Sequence, residues 1–159
     1  MIDVAVLTVS DSGAAGLRAD LSGPAIVARC AELGWQVVQQ ALLPDEEPRI
    51  ARQLQDWADT GNALLILTTG GTGVSKRDHT PEATRPLLER ELPGVSELLR
   101  REGRAQTPFA VLSRGVAGTR KQSLIVNLPG SPKGALHSLG LLEPLVPHIL
   151  ALLRGDTEH

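Results

Sequence analysis

Apolar runs and polar breaks alternate along the chain. Val4-Ala5-Val6-Leu7-Thr8-Val9 is a continuous apolar run that ends in the polar turn Ser10-Asp11-Ser12-Gly13. A run without in-out alternation predicts a strand buried on both faces. Ser22-Gly23-Pro24 opens a helix with Ile26, Val27, Cys30 and Leu33 on one face and Gly34 as its stop. Trp35 to Leu43 reads as a second strand. The acidic turn Pro44-Asp45-Glu46-Glu47-Pro48 enters a helix in which Ile50, Leu54 and Trp57 recur at helical spacing, and Gly61 closes it. Ala63 to Leu67 is a third strand. It breaks into Thr68-Thr69-Gly70-Gly71-Thr72-Gly73, then into the charged loop Lys76-Arg77-Asp78. A helix follows, with Thr80 expected at the N-cap, Pro81 at the first helical position and Glu82 in the first turn. The order β-α-β-α-β-α calls for a parallel sheet covered on both faces.

The second half is less regular. Pro86 breaks or kinks the helix that starts at Thr80. Pro93-Gly94 is a turn, and Val95 to Glu102 reads as a short helix ending at Gly103. Thr107 to Arg120 fits helix and strand equally. Ser123 to Leu128 is a buried strand, separated from the preceding segment only by Arg120-Lys121-Gln122. If that segment is a strand, so short a link makes the pair antiparallel. Asn127-Leu128-Pro129-Gly130-Ser131-Pro132-Lys133 is a second strand-loop-helix junction. Ala135 to Leu153 is helical, interrupted near Pro144 and Pro147. The expected architecture is a three-layer α/β/α domain spanning residues 1–159. Its central sheet is mostly parallel, with one antiparallel strand.

The glycine loop adds chemistry to this frame. Three glycines in four positions let the backbone turn sharply and approach a ligand closely. Successive N–H groups there can cradle an anion, and the following helix start adds its dipole. The loop matches neither the Walker A pattern nor the dinucleotide fingerprint, which needs a glycine where Lys76 stands. A tight strand-to-helix connection with a solvated charged face explains the local sequence equally well. The balance shifts because four polar turns follow four predicted strands: Ser10-Asp11, Asp45-Glu46, Gly70 to Asp78, and Asn127 to Lys133. In an open parallel sheet, the strand C-termini share one edge, where ligands bind.

Composition narrows the ligand. Of 159 residues, only Trp35, Trp57 and Phe109 are aromatic, and the formal net charge is -2. Base stacking on aromatic platforms and a broad basic surface are both disfavoured, so no nucleic acid is expected as a partner. Cys30 is the single cysteine, which rules out an internal disulfide or a cysteine-rich metal site. No apolar run reaches the length of a membrane span, so a soluble, cytoplasmic protein is expected. Asp45 and Asp78 each precede a helix and suit either capping or a Mg²⁺ ion beside phosphates. Lys133 and Arg77 can neutralise phosphate or sit in solvent. Ser131 can cap a helix. Asp11 and Asp20 can stabilise turns. His79, His137, His148 and His159 show no metal-ligand spacing.

Taken together, these motifs resemble the molybdenum-cofactor biosynthesis proteins of the MoaB/Mog family. The resemblance rests on Ser10-Asp11 with Gly16, Asp20 and Ser22-Gly23-Pro24. It rests also on Pro44-Asp45, on Thr69 to Gly73 followed by Arg77-Asp78 and Thr80-Pro81-Glu82-Ala83, on Leu112-Ser113-Arg114 and Gly118, and on Asn127 to Lys133. It implies a homotrimer that binds molybdopterin, a pterin bearing a dithiolene and a terminal phosphate. For Mog-type members it implies adenylylation of that phosphate by Mg-ATP with release of pyrophosphate. The family's two functional aspartates fall on Asp45 and Asp78, with Mg²⁺ as their ion. Ser10, Asp11, Gly70, Gly71, Thr72, Gly73, Ser113, Asn127, Ser131 and Lys133 fall on its ligand-binding loops. The molybdate-inserting enzyme of the same pathway is the implied protein partner. The alternatives are a MoaB-type paralogue and a pterin-binding carrier without catalysis.

Overall fold

The computed structural model describes residues 1–156; His159 lies outside the described residues. Its elements run β1 (Asp3–Val9), α1 (Asp11–Ala14), α2 (Ser22–Glu32), β2 (Gln36–Leu43), α3 (Glu47–Thr60), β3 (Leu65–Thr69), α4 (Thr80–Thr84), β4 (Arg90–Glu91), α5 (Pro93–Gly103), β5 (Ala117–Arg120), β6 (Ser123–Leu128), α6 (Pro132–Leu142) and α7 (Val146–Leu153). The strands form one sheet in the order β2-β1-β3-β6-β5-β4. β2, β1, β3 and β6 are mutually parallel. β5 runs against β6, and β4 runs against β5, so β5 alone is reversed within the sheet.

Burial explains the three layers. Val4 and Val6 of β1 face one side with Leu65, Leu67, Leu124 and Val126, against Ile26, Cys30, Leu139, Leu142 and Leu150 of α2, α6 and α7. Ala5, Leu7 and Val9 face the other side with Ile66 and Ile125, against Ile50, Leu54 and Trp57 of α3 and Ala83 of α4. Successive strand residues point to opposite faces, so an unbroken apolar strand needs helices on both. Among the described residues no single helix is long and apolar enough to cross a membrane. The apolar pair α6 and α7 is bent by 59° at its break.

Several boundaries match the pattern closely. Gly61 closes α3 in the left-handed conformation at φ 71°. α4 ends at Thr84 and passes through one 3₁₀ turn over Arg85–Leu87, where Pro86 forbids the α-helical bond. The ambiguous segment Thr107 to Arg120 divides into a 3₁₀ turn at Pro108–Leu112, a loop, and β5. One element is added and one expectation changes. β4, only two residues long and exposed, carries no apolar signal of its own; pairing with β5 defines it. Thr80 is not the N-cap of α4. His79 holds that place, and the buried Thr80 hydroxyl donates to the Gly70 carbonyl at 2.9 Å.

Candidate active site at the strand ends

The four polar turns meet at one edge of the sheet. The Ser10 N–H donates to the Leu43 carbonyl, joining the ends of β1 and β2. The Asp45 N–H donates to Asp11 Oδ1 at 2.9 Å, which ties the turn after β2 to the turn after β1. The Gly70 N–H reaches the Leu128 carbonyl, and the Thr69 hydroxyl donates to the Pro129 carbonyl at 2.6 Å. A Cβ on Gly130 would lie 3.2 Å from the Gly70 α-carbon, so the β3 and β6 loops touch through glycines.

Asp45 sits beneath the glycine loop. It is only 5% exposed, and its Oδ1 accepts the His79 N–H at 2.9 Å, at the start of α4. It therefore satisfies the helix that follows β3, rather than the helix that follows itself. Gly71 has φ +69°, and a Cβ there would strike Thr80 Oγ1 and lie 2.5 Å from Asp45 Oδ2. The missing side chain thus makes room for a carboxylate of the protein. Burial pushes the Asp45 carboxyl above its ordinary range, against the opposing pull of the His79 N–H, and the charges of Asp78 and Asp11 add to the rise. Asp78 accepts the Ser75 N–H at 3.0 Å and closes its own turn.

Beyond the loop opens a cleft of about 620 Å³. Gly71, Thr72, Gly73, Asp78, Ser113, Asn127, Ser131 and Lys133 border it, all expected from sequence. Ser10, Asp11, Gly70 and Asp45 do not: Gly70 forms the base of the loop, Asp45 lies under Gly71, and Asp11 holds Arg77. Ser10 caps α1 by accepting the Gly13 N–H at 3.0 Å. Ser131 caps α6 through the Gly134 N–H at 3.1 Å, which leaves that helix start facing the cleft. Asn127 borders the cleft but engages its side chain inward. Its Nδ2 donates to the hydroxyls of Thr68 and Thr84, and its Oδ1 accepts the Val116 N–H. Among the described residues, the N–H groups of Gly71, Thr72 and Gly73 meet no backbone acceptor, so three successive donors remain for a ligand.

Two arginines depart from the sequence reading. Arg77, expected as a phosphate neutraliser, instead forms a two-point ion pair with Asp11. The Asp11 carboxyl is held below its ordinary range, first by the Arg77 bonds and then by the Asp45 N–H. Arg114 was legible only as part of a motif. Its guanidinium donates to the carbonyls of Gly73 and Asp78 and to both Glu82 oxygens, while its own N–H donates to the Thr72 carbonyl. It clamps the glycine loop from one side. The apolar wall of the cleft, from Leu99, Phe109 and Ala110 with Leu112, was also hidden from the sequence reading apart from Leu112, because it comes from α5 and the 3₁₀ turn, far from any glycine motif.

Among the described residues no group of three or more His, Cys, Asp and Glu side chains is placed to hold a metal. Mg²⁺ does not require one. It takes one or two carboxylates and completes its shell with water and substrate phosphates. The buried Asp45, with the like charge of Asp78 close enough to oppose its ionisation, fits that mode of binding.

Residues 5–148 match the family model described as "Probable molybdopterin binding domain". The molybdopterin adenylyltransferase of Helicobacter pylori strain J99 is 39% identical over 157 residues, covering 98% of this chain and 89% of that protein. The molybdenum cofactor synthesis protein cinnamon of Drosophila melanogaster is 41% identical over 98% of the chain, but the chain spans only 26% of its length. The crystal structure of the molybdopterin biosynthesis enzyme MoaB from Thermus thermophilus superposes with a TM-score of 0.91 at 52% identity, covering 98% of each chain.

Proposed function

The chain belongs to the molybdopterin-binding domain family of molybdenum-cofactor biosynthesis proteins, and from that premise we propose that it is a molybdopterin adenylyltransferase. A terminal phosphate oxygen of molybdopterin attacks the α-phosphorus of ATP. The new P–O bond forms as the α–β phosphoanhydride breaks, and pyrophosphate leaves. The reading is carried by one observation: a buried carboxylate, Asp45, packs against the glycine loop beside a second, Asp78, and Asp78 borders the cleft.

The chain's own residues supply positioning and charge neutralisation, which are the main needs of such a transfer. The N–H groups of Gly71, Thr72 and Gly73 and the start of α6 orient phosphate oxygens. Lys133 adds a point charge. Asp45 and Asp78 would hold Mg²⁺, which would neutralise charge on the phosphates. Asp11, Arg77 and Arg114 keep the two carboxylates and the loop in register. The enzyme acts as a homotrimer in the cytoplasm and hands its product to the molybdate-inserting enzyme. Family resemblance supports the homotrimer and the hand-over. Sedimentation of the purified protein tests the trimer.

The test of activity is incubation with molybdopterin and Mg-ATP. The expected products are pyrophosphate and adenylylated molybdopterin. The 52% identity to a MoaB favours a second reading, the MoaB-type paralogue. Binding of molybdopterin without release of pyrophosphate would select a non-adenylylating role and refute the enzyme.

A further inference from the structure

Arg100 stands apart from the other arginines. Four arginines are only partly exposed: Arg29, Arg100, Arg114 and Arg120. Arg29 faces Glu143, Arg114 faces Glu82 and Arg120 faces Asp59. Among the described residues Arg100 faces no carboxylate. Its Nη1 donates to the carbonyls of Gly115 at 3.0 Å and Ser113 at 3.4 Å, and Arg100 stands between the cleft and a second, smaller pocket. A guanidinium carries five N–H donors in a rigid fork. Most of that fork is left for a ligand, and its charge has no protein counterion.

Two hydroxyls share this wall. Ser96 lies one turn before Arg100 on α5, and Ser138 lies on α6, which packs against α5. They are 7% and 3% exposed, and both border the cleft. Neither side chain is hydrogen-bonded among the described residues. No buried side-chain nitrogen or oxygen among them lacks a partner. Each hydroxyl therefore keeps some exposed surface: Ser138 borders the cleft, and Ser96, like Arg100, borders both the cleft and the smaller pocket. A partly desolvated cation beside two free donors is an anion site, because the charge is costly to bury unless a ligand supplies its counterpart.

We propose that Arg100, with Ser96 and Ser138, forms an anion subsite in the wall between α5 and α6, separate from the glycine loop, and that it determines specificity for the pterin substrate. This rests on the adenylyltransferase reading. Molybdopterin carries negative charge at its terminal phosphate and at its dithiolene sulfurs, and either fits the chemistry of the subsite.

The experiment measures binding of molybdopterin, and of molybdopterin treated with phosphatase, to the wild-type protein and to Arg100→Lys, Arg100→Gln and Ser138→Ala. Melting temperature is recorded for each. Arg100→Lys keeps the charge and one bond to the 113–115 loop but loses the fork. The expected result is a loss of molybdopterin affinity of about tenfold or more in Arg100→Gln, a smaller loss in Arg100→Lys, and a weaker salt dependence in Arg100→Gln. Loss with both ligands assigns the subsite to the sulfurs; loss with the phosphorylated form alone assigns it to phosphate. Unchanged affinity overturns the proposal. So does an affinity loss that tracks the fall in melting temperature with unchanged salt dependence, since Arg100 then only braces the loop. If the wild-type protein itself fails to bind molybdopterin, the functional reading falls first and takes this one with it.

Discussion

Arg77 and Asp11, 66 residues apart in sequence, meet in a two-point ion pair, with Nε 3.0 Å from Oδ2 and Nη2 2.9 Å from Oδ1. The same carboxylate accepts the Asp45 N–H. One side chain thus links the turns after β1, β2 and β3. The pair is well exposed, so its direct contribution to stability is small. Arg77→Ala is expected to leave the melting temperature close to wild type and to lower the adenylylation rate by loosening the turn that carries Asp78. Arg77→Lys, which loses the two-point geometry, should fall between. Equal rates in all three proteins would show that the pair has no positioning role.

Asp45→Asn and Asp78→Asn separate catalysis from scaffolding. Asn keeps an acceptor for the His79 and Ser75 N–H groups, and at position 45 it removes a charge that burial disfavours. Melting temperatures at or above wild type and retained pterin binding are expected. Adenylylation should fall by about 10²–10³. Full activity of both variants at low Mg²⁺ would return the two aspartates to a purely structural role.

Gly71→Val is expected to damage folding as well as binding. A ligand-blocking effect is what the sequence suggests, but the added Cβ meets Thr80 and Asp45 before it meets any ligand. Left-handed backbone adds a further cost of about 1–2 kcal/mol for a residue with a Cβ. Chemical denaturation of Gly71→Ala and Gly71→Val should show losses above that figure, with valine the worse.

Lys133→Ala tests the phosphate assignment. A charge-assisted bond to phosphate predicts a loss of about 1.5–3 kcal/mol in affinity for molybdopterin, and none for the dephosphorylated pterin. Titration calorimetry with both ligands reads the difference directly. Equal losses would mean that Lys133 acts through structure.

Asp59 governs part of the acid stability. Two bonds from Arg120, at 2.8 and 3.0 Å, hold its carboxyl down to about 2. A depressed folded-state value means that the stabilisation is present above the unfolded value of about 4 and is lost as pH falls through about 2. The melting temperature of the wild type should therefore drop across that window by more than that of Asp59→Asn. Parallel curves would remove the pair from the acid response.

Local sequence determined the layers, the parallel strands and the position of the glycine loop. These follow from short-range causes: unbroken apolar runs must be covered on both faces, Pro86 cannot donate an N–H, and Gly61 accepts a left-handed conformation that other residues resist. The convergence of the four turns was legible for the same reason, since parallel strands must end on one edge. Tertiary structure decided which side chains face the ligand and which hold the loop. Arg77 looks like a phosphate ligand in sequence but grips Asp11, and Asp45 lies under Gly71, where only the fold brings it beside Asp78. The strand β4 and the cleft wall from α5 were equally hidden, because pairing with β5 and packing against α6 create them. Contacts between residues 34 to 66 positions apart leave no periodic trace in the chain. They exist only once the sheet has set its strand order, and that order decides which of several polar residues lose their water.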